Sequence, residues 1–397
     1  MATLKTFFID CIKGNDINDG SELKPKLTIN KISNNSIIVL SDGYHKNITL
    51  SNINNIIIIS KDLYDSLSSP INFKNIKAKN PQKNLLTKVV YISLTNCSNV
   101  FISDISVSTS HFIPSTDMNT IKIRGVTFKN CSDCVFQNSE LYSVKDTKKW
   151  NMEDWNKNRT GIVIIGGKGN NKILNNNIVN CGGIQLKGVL NIVDNNFIKN
   201  FPTDGCGIWA DGNIFSNNWI EGSHLVNINH NDLIQCGASN NWKILNNTFI
   251  SYYSGMSFIS RTTQGIGCFD GWYNNCEISG NRVKVDHPIG IWMQGANNCK
   301  ISNNEVMICG SILYKNHPPS ILIKEKKSGE NSTNNIVINN IAPKFDFVFQ
   351  NNTNNIQYNN YSTLLNKFIE PYGIKNNTIT QKPFIPPFIG PTKAFGF

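Results

Sequence analysis

The stretch GIWADGNIFSNNWI, residues 207–220, holds one copy of a pattern that returns through the chain. Its second half, IFSNNWI, reads apolar–x–x–Asn–x–apolar. The same order occurs as VFQNSEL at Asn138, ILNNNIV at Asn176, IVDNNFI at Asn195 and IFSNNWI at Asn217. It continues as ILNNTFI at Asn247, ISGNRVK at Asn281, ISNNEVM at Asn304, IVINNIA at Asn339 and IQYNNYS at Asn359. Successive anchors fall 19 to 38 residues apart, the longer gaps reading as the same unit carrying a loop insertion. An earlier coil, VFISDISV at 100–107, has Ser103 in the Asn place. Short β segments of period two at this spacing cannot each bury a hydrophobic face alone. Stacked as coils, each gives its neighbour backbone hydrogen bonds, and inward Ile, Val and Phe form ladders along the axis. The repeated Asn suits a bend between strands, because Asn tolerates left-handed backbone and its amide can bond the Asn of the next coil.

The pattern predicts an all-β chain, a single-stranded right-handed parallel β-helix. A leucine-rich repeat would need regularly spaced Leu and a helical half-repeat, and neither is present. FFIDCIKGNDINDGSELKPKLTINKI, residues 7–32, resembles the opening cap of the pectate-lyase-like β-helix superfamily, and the resemblance runs over roughly residues 7–362. It implies the fold far more than the chemistry, since that superfamily holds lyases, hydrolases, phage tailspikes and non-catalytic binders. The expected organisation is an N-terminal cap over 1–40, a β-helix over 41–362 and a capping or partner-docking tail over 363–397. Residues 143–159, with Trp150 and Trp155 among charges, read as a long loop leaving the solenoid. The tail is rich in Pro, and Phe384, Phe388, Phe395 and Phe397 need somewhere to bury.

The chain has 397 residues, 40% of them apolar and only 16% charged, with a net charge of +11. Codon bias toward Asn, Ile and Lys explains that charge at least as well as attraction to acidic glycans, nucleic acid or anionic surfaces. Lys and Arg form no stripe with interleaved aromatics, as nucleic-acid binding would require; KDTKKW at 145–150 and KEKK at 324–327 are isolated. MATLKTFFIDCIKGND shows no secretory signal, and no window approaches a membrane span. Eleven cysteines are an odd number at scattered spacing. NCSNV at Cys97, NCSDCV at Cys131, NNCEI at Cys276 and NNCKI at Cys299 each precede a β-rich run. They read as one repeated, semi-buried place in the coil, where reduced Cys acts as a small hydrophobe.

A second register lies ahead of several Asn anchors: GIVIIGG at 161–167, GIQLKG at 183–188, GIWADG at 207–212, DLIQCG at 232–237, GIGCFDG at 265–271 and GIWMQG at 290–295. Side chains alternate along a strand. With Ile184, Leu186, Ile208 and Ala210 facing in, Gln185, Lys187, Trp209 and Asp211 face out, and Trp292 and Gln294 follow them. Asp232, Gln235 and Asp270 complete this face, although the extra residue in GIGCFDG leaves the facing of Asp270 open and DLIQCG fits either phase. Aromatic rings beside amides and carboxylates are what sugar binding needs. Loops approaching this face hold Asp204, Glu221, His224, His230, Arg261, Gln264, Asp286 and His287.

Asp211, Asp232, Asp270 and His230 are therefore the candidate catalytic residues. Gln185, Lys187, Asp204, Trp209, Gln235, Arg261, Gln264, Trp292 and Gln294 are the candidate substrate-binding residues. Hydrolysis of a glycoside needs two carboxyl groups at a defined separation. Elimination would need a base such as Lys187, Arg261 or His230 and a neutraliser of the sugar carboxylate, often Ca²⁺; otherwise no cofactor or metal is expected. The Gly-His-Gly and Arg-Ile-Lys of polygalacturonases are missing in context, IKIRG at 121–125 lying far upstream, and so is the paired Arg-x-Pro-x-x-Arg of pectate lyases. A β-helix with free cysteines and no export signal fits assembly in a host cytoplasm and release by lysis. The expectation is a virion-associated, tailspike- or fibre-like protein that recognises, and in the stronger reading degrades, a host surface polysaccharide. Its partners would be polysaccharide and other virion proteins, with a homotrimer as one arrangement, and neither nucleic acid nor a membrane. The alternative is a non-catalytic structural or decoration protein of a particle, docking through its C-terminal tail.

Overall fold

In the computed structural model the described residues are 4–67, 76, 84–108, 125–157, 161–224, 231–251, 263–309, 317–347, 354–370 and 372. They form two compact units. One runs to Gly182 and takes in Lys187–Phe197; the other comprises Gly183–Leu186 and the described residues from Ile198 onward. Both repeat one coil, in which the chain visits three parallel sheets in a fixed order. The fold is a right-handed parallel β-helix, as the repeat predicts.

In the first unit the first sheet contains Lys5–Ile9, Ser36–Leu40, Asn54–Ser60, Ser98–Ser103, Val135–Gln137, Lys172–Leu174 and Ile192–Asp194. The second contains Gly43–Tyr44, Thr87–Val89, Ser106–Val107, Glu140–Tyr142 and Asn177–Val179. The third contains Ile48–Ser51, Ile92–Thr95, Val126–Lys129 and Ile162–Ile165. In the second unit the third sheet is the one that matters most. There Cys206–Ile208, Asp232–Cys236, Gln264–Cys268, Ile289–Gln294, Ser320–Lys324 and Lys344–Phe347 follow one another. Its inward columns are Ile184, Cys206, Ile234, Ile266, Ile291 and Ile321, then Leu186, Ile208, Cys236, Cys268, Met293 and Ile323. All are buried. Each aliphatic side chain so buried contributes about 1.5–3 kcal/mol.

Two neighbouring residues, rather than one, share the duties expected of the repeated Asn. Asn195, Asn217, Asn339 and Asn359 take left-handed backbone, with φ of 55°, 54°, 57° and 53°. The residue after each is the one that ladders. Asn176 donates to Asn196 Oδ1 (3.0 Å), Asn218 to Asn247 (3.1 Å), Asn247 to Asn281 (3.0 Å), Asn281 to Asn304 (3.0 Å), Asn304 to Asn340 (3.0 Å) and Asn340 to Asn360 (2.9 Å). The motif anchors at Asn138, Asn195, Asn217, Asn339 and Asn359 are therefore one residue ahead of the ladder, and those at Asn176, Asn247, Asn281 and Asn304 are on it. At 195, 217, 339 and 359 the cause is that two adjacent Asn satisfy the same pattern; after Asn138 the ladder place is held by Ser139.

A second ladder stands at the bend before the first sheet, where Asn171 donates to Asn191 (2.9 Å) and Asn335 to Asn355 (2.9 Å). Cys134, Cys276 and Cys299 occupy this place: the backbone N–H of Cys134 donates to Asn171 Oδ1 (3.1 Å) and that of Cys299 to Asn335 Oδ1 (2.9 Å). Cys97 and Cys131 stand three residues earlier in the coil, just before the bridged pair Ser98 and Ser132. The recurrent cysteines thus fill two places in the coil and are fully buried, not semi-buried. All eleven thiols are free.

At the first strand, Phe8 N–H donates to Gly20 O (2.8 Å) and Lys26 N–H to Phe8 O (2.9 Å), so residues 20–26 cover its edge. At the last described coil, Lys367–Phe368 runs antiparallel to Tyr361–Ser362 and Tyr372 bridges to Gln357. Covered edges of this kind block strand addition. The Phe-rich remainder of the tail lies outside the described residues. The insertion after Tyr142 folds back: Asn180 Nδ2 donates to the carbonyls of Val144 (3.1 Å) and Lys145 (3.0 Å), and Trp155 is fully buried against Trp150.

Candidate functional site

On the third sheet of the second unit, Gln185, Gly207, Gln235, Gly267, Trp292 and Leu322 form one outward column. The glycines there are seats for rings. A Cβ on Gly207 would stand 2.3 Å from Trp209 Nε1 and 2.7 Å from Gln185 Oε1. One on Gly237 would stand 2.3 Å from Trp209 Cε3, and one on Gly267 would stand 2.5 Å from Phe269 Cε2. The Trp209 indole thus lies across two coils and donates Nε1–H to Gln185 Oε1 (2.7 Å). Trp292 donates Nε1–H to Ser320 Oγ (2.8 Å) and meets Phe269 edge to face, 6.4 Å between centroids. All three rings are half-buried, with one side left to solvent.

Beside the rings Gln235 Nε2 donates to Asp270 Oδ2 (3.4 Å), and Lys327 Nζ pairs with Asp270 Oδ1 at 3.2 Å. Both charged groups are well exposed, so the pair is worth at most about 1 kcal/mol and is open to exchange for a ligand. Lys326 Nζ lies 5.6 Å from the centre of the Trp272 ring. Beneath the rings Asp232 is fully buried, and its Oδ1 is 3.3 Å from where a Gly267 Cβ would be. Its N–H donates to Asp204 Oδ1 (3.1 Å). Gln264 pairs with Asp232 across the strands and is buried, its Oε1 without a hydrogen-bond partner among the described residues.

The structure therefore brings together Gln185, Asp232, Gln235, Gln264 and Trp292 on the strands of one sheet, with Asp204, Trp209 and Asp270 at the ends of those strands. Gln294 is buried on the same strand as Trp292. Asp211 stands apart. It lies past the end of its strand, exposed, and its Oδ1 accepts from the N–H of Asn240 (2.8 Å), clamping the turn of the next coil. Lys187 is exposed and falls in the first unit. His230 and Arg261 lie outside the described residues. Glu221, on the strand Trp219–Ser223, is held away from these rings by Lys199 (2.7 Å) and Trp219 Nε1 (2.8 Å).

The two GIW segments are not register mates. Ile291 pairs with Ile266, and through Ile234 with Cys206, so Trp292 stands in the column of Gly207, two residues from that of Trp209. A slip of two keeps the facing, which is why parity placed both rings outward. Phe269, Ser320 and Lys327 were not singled out from the sequence. Phe269 adjoins the extra residue of GIGCFDG, and Lys327 arrives on an insertion whose reach no local pattern reveals.

His224 is buried, which pushes its imidazole down to about 4. The folded chain then resists a proton that the unfolded chain accepts near 6.5. Its contribution is whole above that value and is lost as pH falls from 6.5 toward 4, up to about 3 kcal/mol. Urea midpoints at pH 7 and 4.5 should differ in the wild type and differ less in His224→Gln; equal differences would remove His224 as the cause.

The sequence matches no protein-family model and no curated protein. Among solved structures, a mutant of the PL6-family alginate lyase AlyGC superposes with a TM-score of 0.50 at 12% identity, over 88% of this chain and 51% of that one. The GH136 lacto-N-biosidase from Eubacterium ramulus gives 0.47 at 11% identity, over 90% and 67% of the two chains. The Dettilon tailspike protein gives 0.45 at 14% identity, over 77% and 56%. The first of these likenesses shows the shared β-helix fold.

Proposed function

We propose that the chain binds a polysaccharide along the outer face of the third sheet in its second unit. The observation that carries this reading is the seating of Trp209 and Phe269 on glycines, which presents flat apolar faces beside the amides and carboxylates of Gln185, Gln235 and Asp270. Trp209 and Phe269 stand two coils apart, about 10 Å, so consecutive sugar rings can rest on them. For cleavage the carboxylate best placed is Asp232, buried beneath the rings, and not Asp211. The setting we favour is a virion-associated protein acting on host surface glycan. Eleven free thiols support assembly in a reducing cytoplasm.

The test is incubation with a panel of acidic and neutral surface polysaccharides, following retention, new reducing ends and the absorbance of unsaturated uronates. Retention on one glycan that is lost in Trp209→Ala is the expected result. Reducing ends without absorbance would mark a hydrolase, and both signals a lyase. No retention on any member, with Trp209→Ala indistinguishable from wild type, would sink the reading.

A further inference from the structure

Ser106, Glu140 and Asn177 pair residue to residue on three successive strands of the second sheet in the first unit. Their neighbours Val107, Leu141 and Ile178 fill the core, so these three polar side chains stand on the outer side of the sheet. They are nevertheless buried, with exposures of 0%, 3% and 3%. Glu140 Oε1 and Asn177 Oδ1 each hide without a hydrogen-bond partner among the described residues, and the Ser106 hydroxyl beside them meets the Tyr142 phenol. The other carboxylate oxygen of Glu140 accepts the N–H of Asn84 (2.9 Å). Asn84 is held in turn by Lys145 Nζ (2.9 Å), and the carbonyls of Val144 and Lys145 by Asn180. The cover is thus built from two separate excursions of the chain.

An unmet buried acceptor costs about 1–3 kcal/mol, and more when it is a carboxylate. Two on adjacent coils, with the Ser106 hydroxyl on a third, ask for a single positive guest. Neither nearby ammonium group serves: Lys145 Nζ is taken by Asn84 Oδ1 (2.9 Å) and lies over the Tyr142 ring at 5.4 Å, while Lys88, in register with Ser106, reaches Tyr44 OH at 3.3 Å. An all-oxygen set with one carboxylate, one amide carbonyl and one hydroxyl is chemistry for a hard cation. We propose that Ser106, Glu140 and Asn177 hold a calcium-class cation that fastens the Asn84 and 144–145 excursions to the second sheet. A single carboxylate makes the site weak, with dissociation near the millimolar range.

Terbium luminescence on the full chain, stripped with chelator, tests this, with Tyr142 as the sensitiser two residues from Glu140. The expected result is tyrosine-sensitised emission displaced by millimolar Ca²⁺ but not by equal Mg²⁺, and lost in Glu140→Gln. Asn177→Asp, which adds a carboxylate, should tighten Ca²⁺ binding about tenfold or more. That gain keeps the test decisive if Glu140→Gln fails to fold. Wild-type and Asn177→Asp proteins that both stay dark, or a crystal grown with Ca²⁺ that shows only water or a turned Asn177 amide between these oxygens, would overturn it.

Discussion

Asn281→Ala should lower stability by about 4 kcal/mol or more, although no apolar surface is lost with it. Its Nδ2 donates to the carbonyls of Ile244 (2.9 Å) and Ser279 (3.1 Å) and to Asn304 Oδ1 (3.0 Å). Its Oδ1 accepts the backbone N–H (2.9 Å) and the amide (3.0 Å) of Asn247. Removing the side chain strands the backbone N–H of Asn247 and weakens the pairing of its amide inside a fully buried bend, although Asn304 Oδ1 keeps the backbone N–H of residue 281 (3.0 Å); each stranded group costs about 1–3 kcal/mol. Asn298, exposed at the neighbouring bend with φ 55°, makes the useful contrast. Asn298→Ala gives up one amide bond to Asn275 and some left-handed ease, about 1–2 kcal/mol. Stacked coils open in pieces, so amide exchange at Asn247 and Asn304 should be read beside the urea midpoint. Equal losses in the two variants would mean that the buried ladder is not what holds the bends.

The coil was legible because its signal is written many times. Ile244, Ile278 and Ile301 sit at the same distance before a laddered Asn, and stacking follows from repetition alone. Register was less legible. The doubled Asn at 195–196 or 217–218 offers two equal choices to a pattern, and only the bond from Asn218 to Asn247 shows which one turns inward. The GIW segments mislead for the same reason. Their alignment is decided by which inward residue stacks on Ile266, a property of the neighbouring strand and not of the motif. Outward facing survived the GIW slip because that error was even. Asp211 did not, because its strand stops at Ile208 and alternation ends with it. The partners of Asp270 were hidden for another reason: Lys327 lies 57 residues along the chain, on an insertion.

Gly237→Ala is expected to cost as much glycan affinity as Trp209→Ala, about 2 kcal/mol or roughly thirtyfold, on whichever polysaccharide retains the wild-type chain. Nothing about a glycine suggests contact with a sugar. The expectation comes from the indole, which passes over Gly237 so closely that a methyl there would stand 2.3 Å from Cε3 and 2.8 Å from Cζ3. Gly237 is buried just past the end of the strand Asp232–Cys236, its N–H held by Ile208 O (2.9 Å), and the ring is the softer partner, so the ring must lift. Lifting it breaks the Nε1–H bond to Gln185 and tilts the platform out of line with Phe269. Asp211→Asn supplies the opposite control. Its carboxylate clamps the turn at Asn240, a duty an amide oxygen can also perform, so affinity should stay within about twofold and any loss should appear as stability. If Gly237→Ala bound like wild type while Asp211→Asn lost the glycan, the ligand would be read by the turns between sheets, and the ring row would be no more than the outer packing of the third sheet.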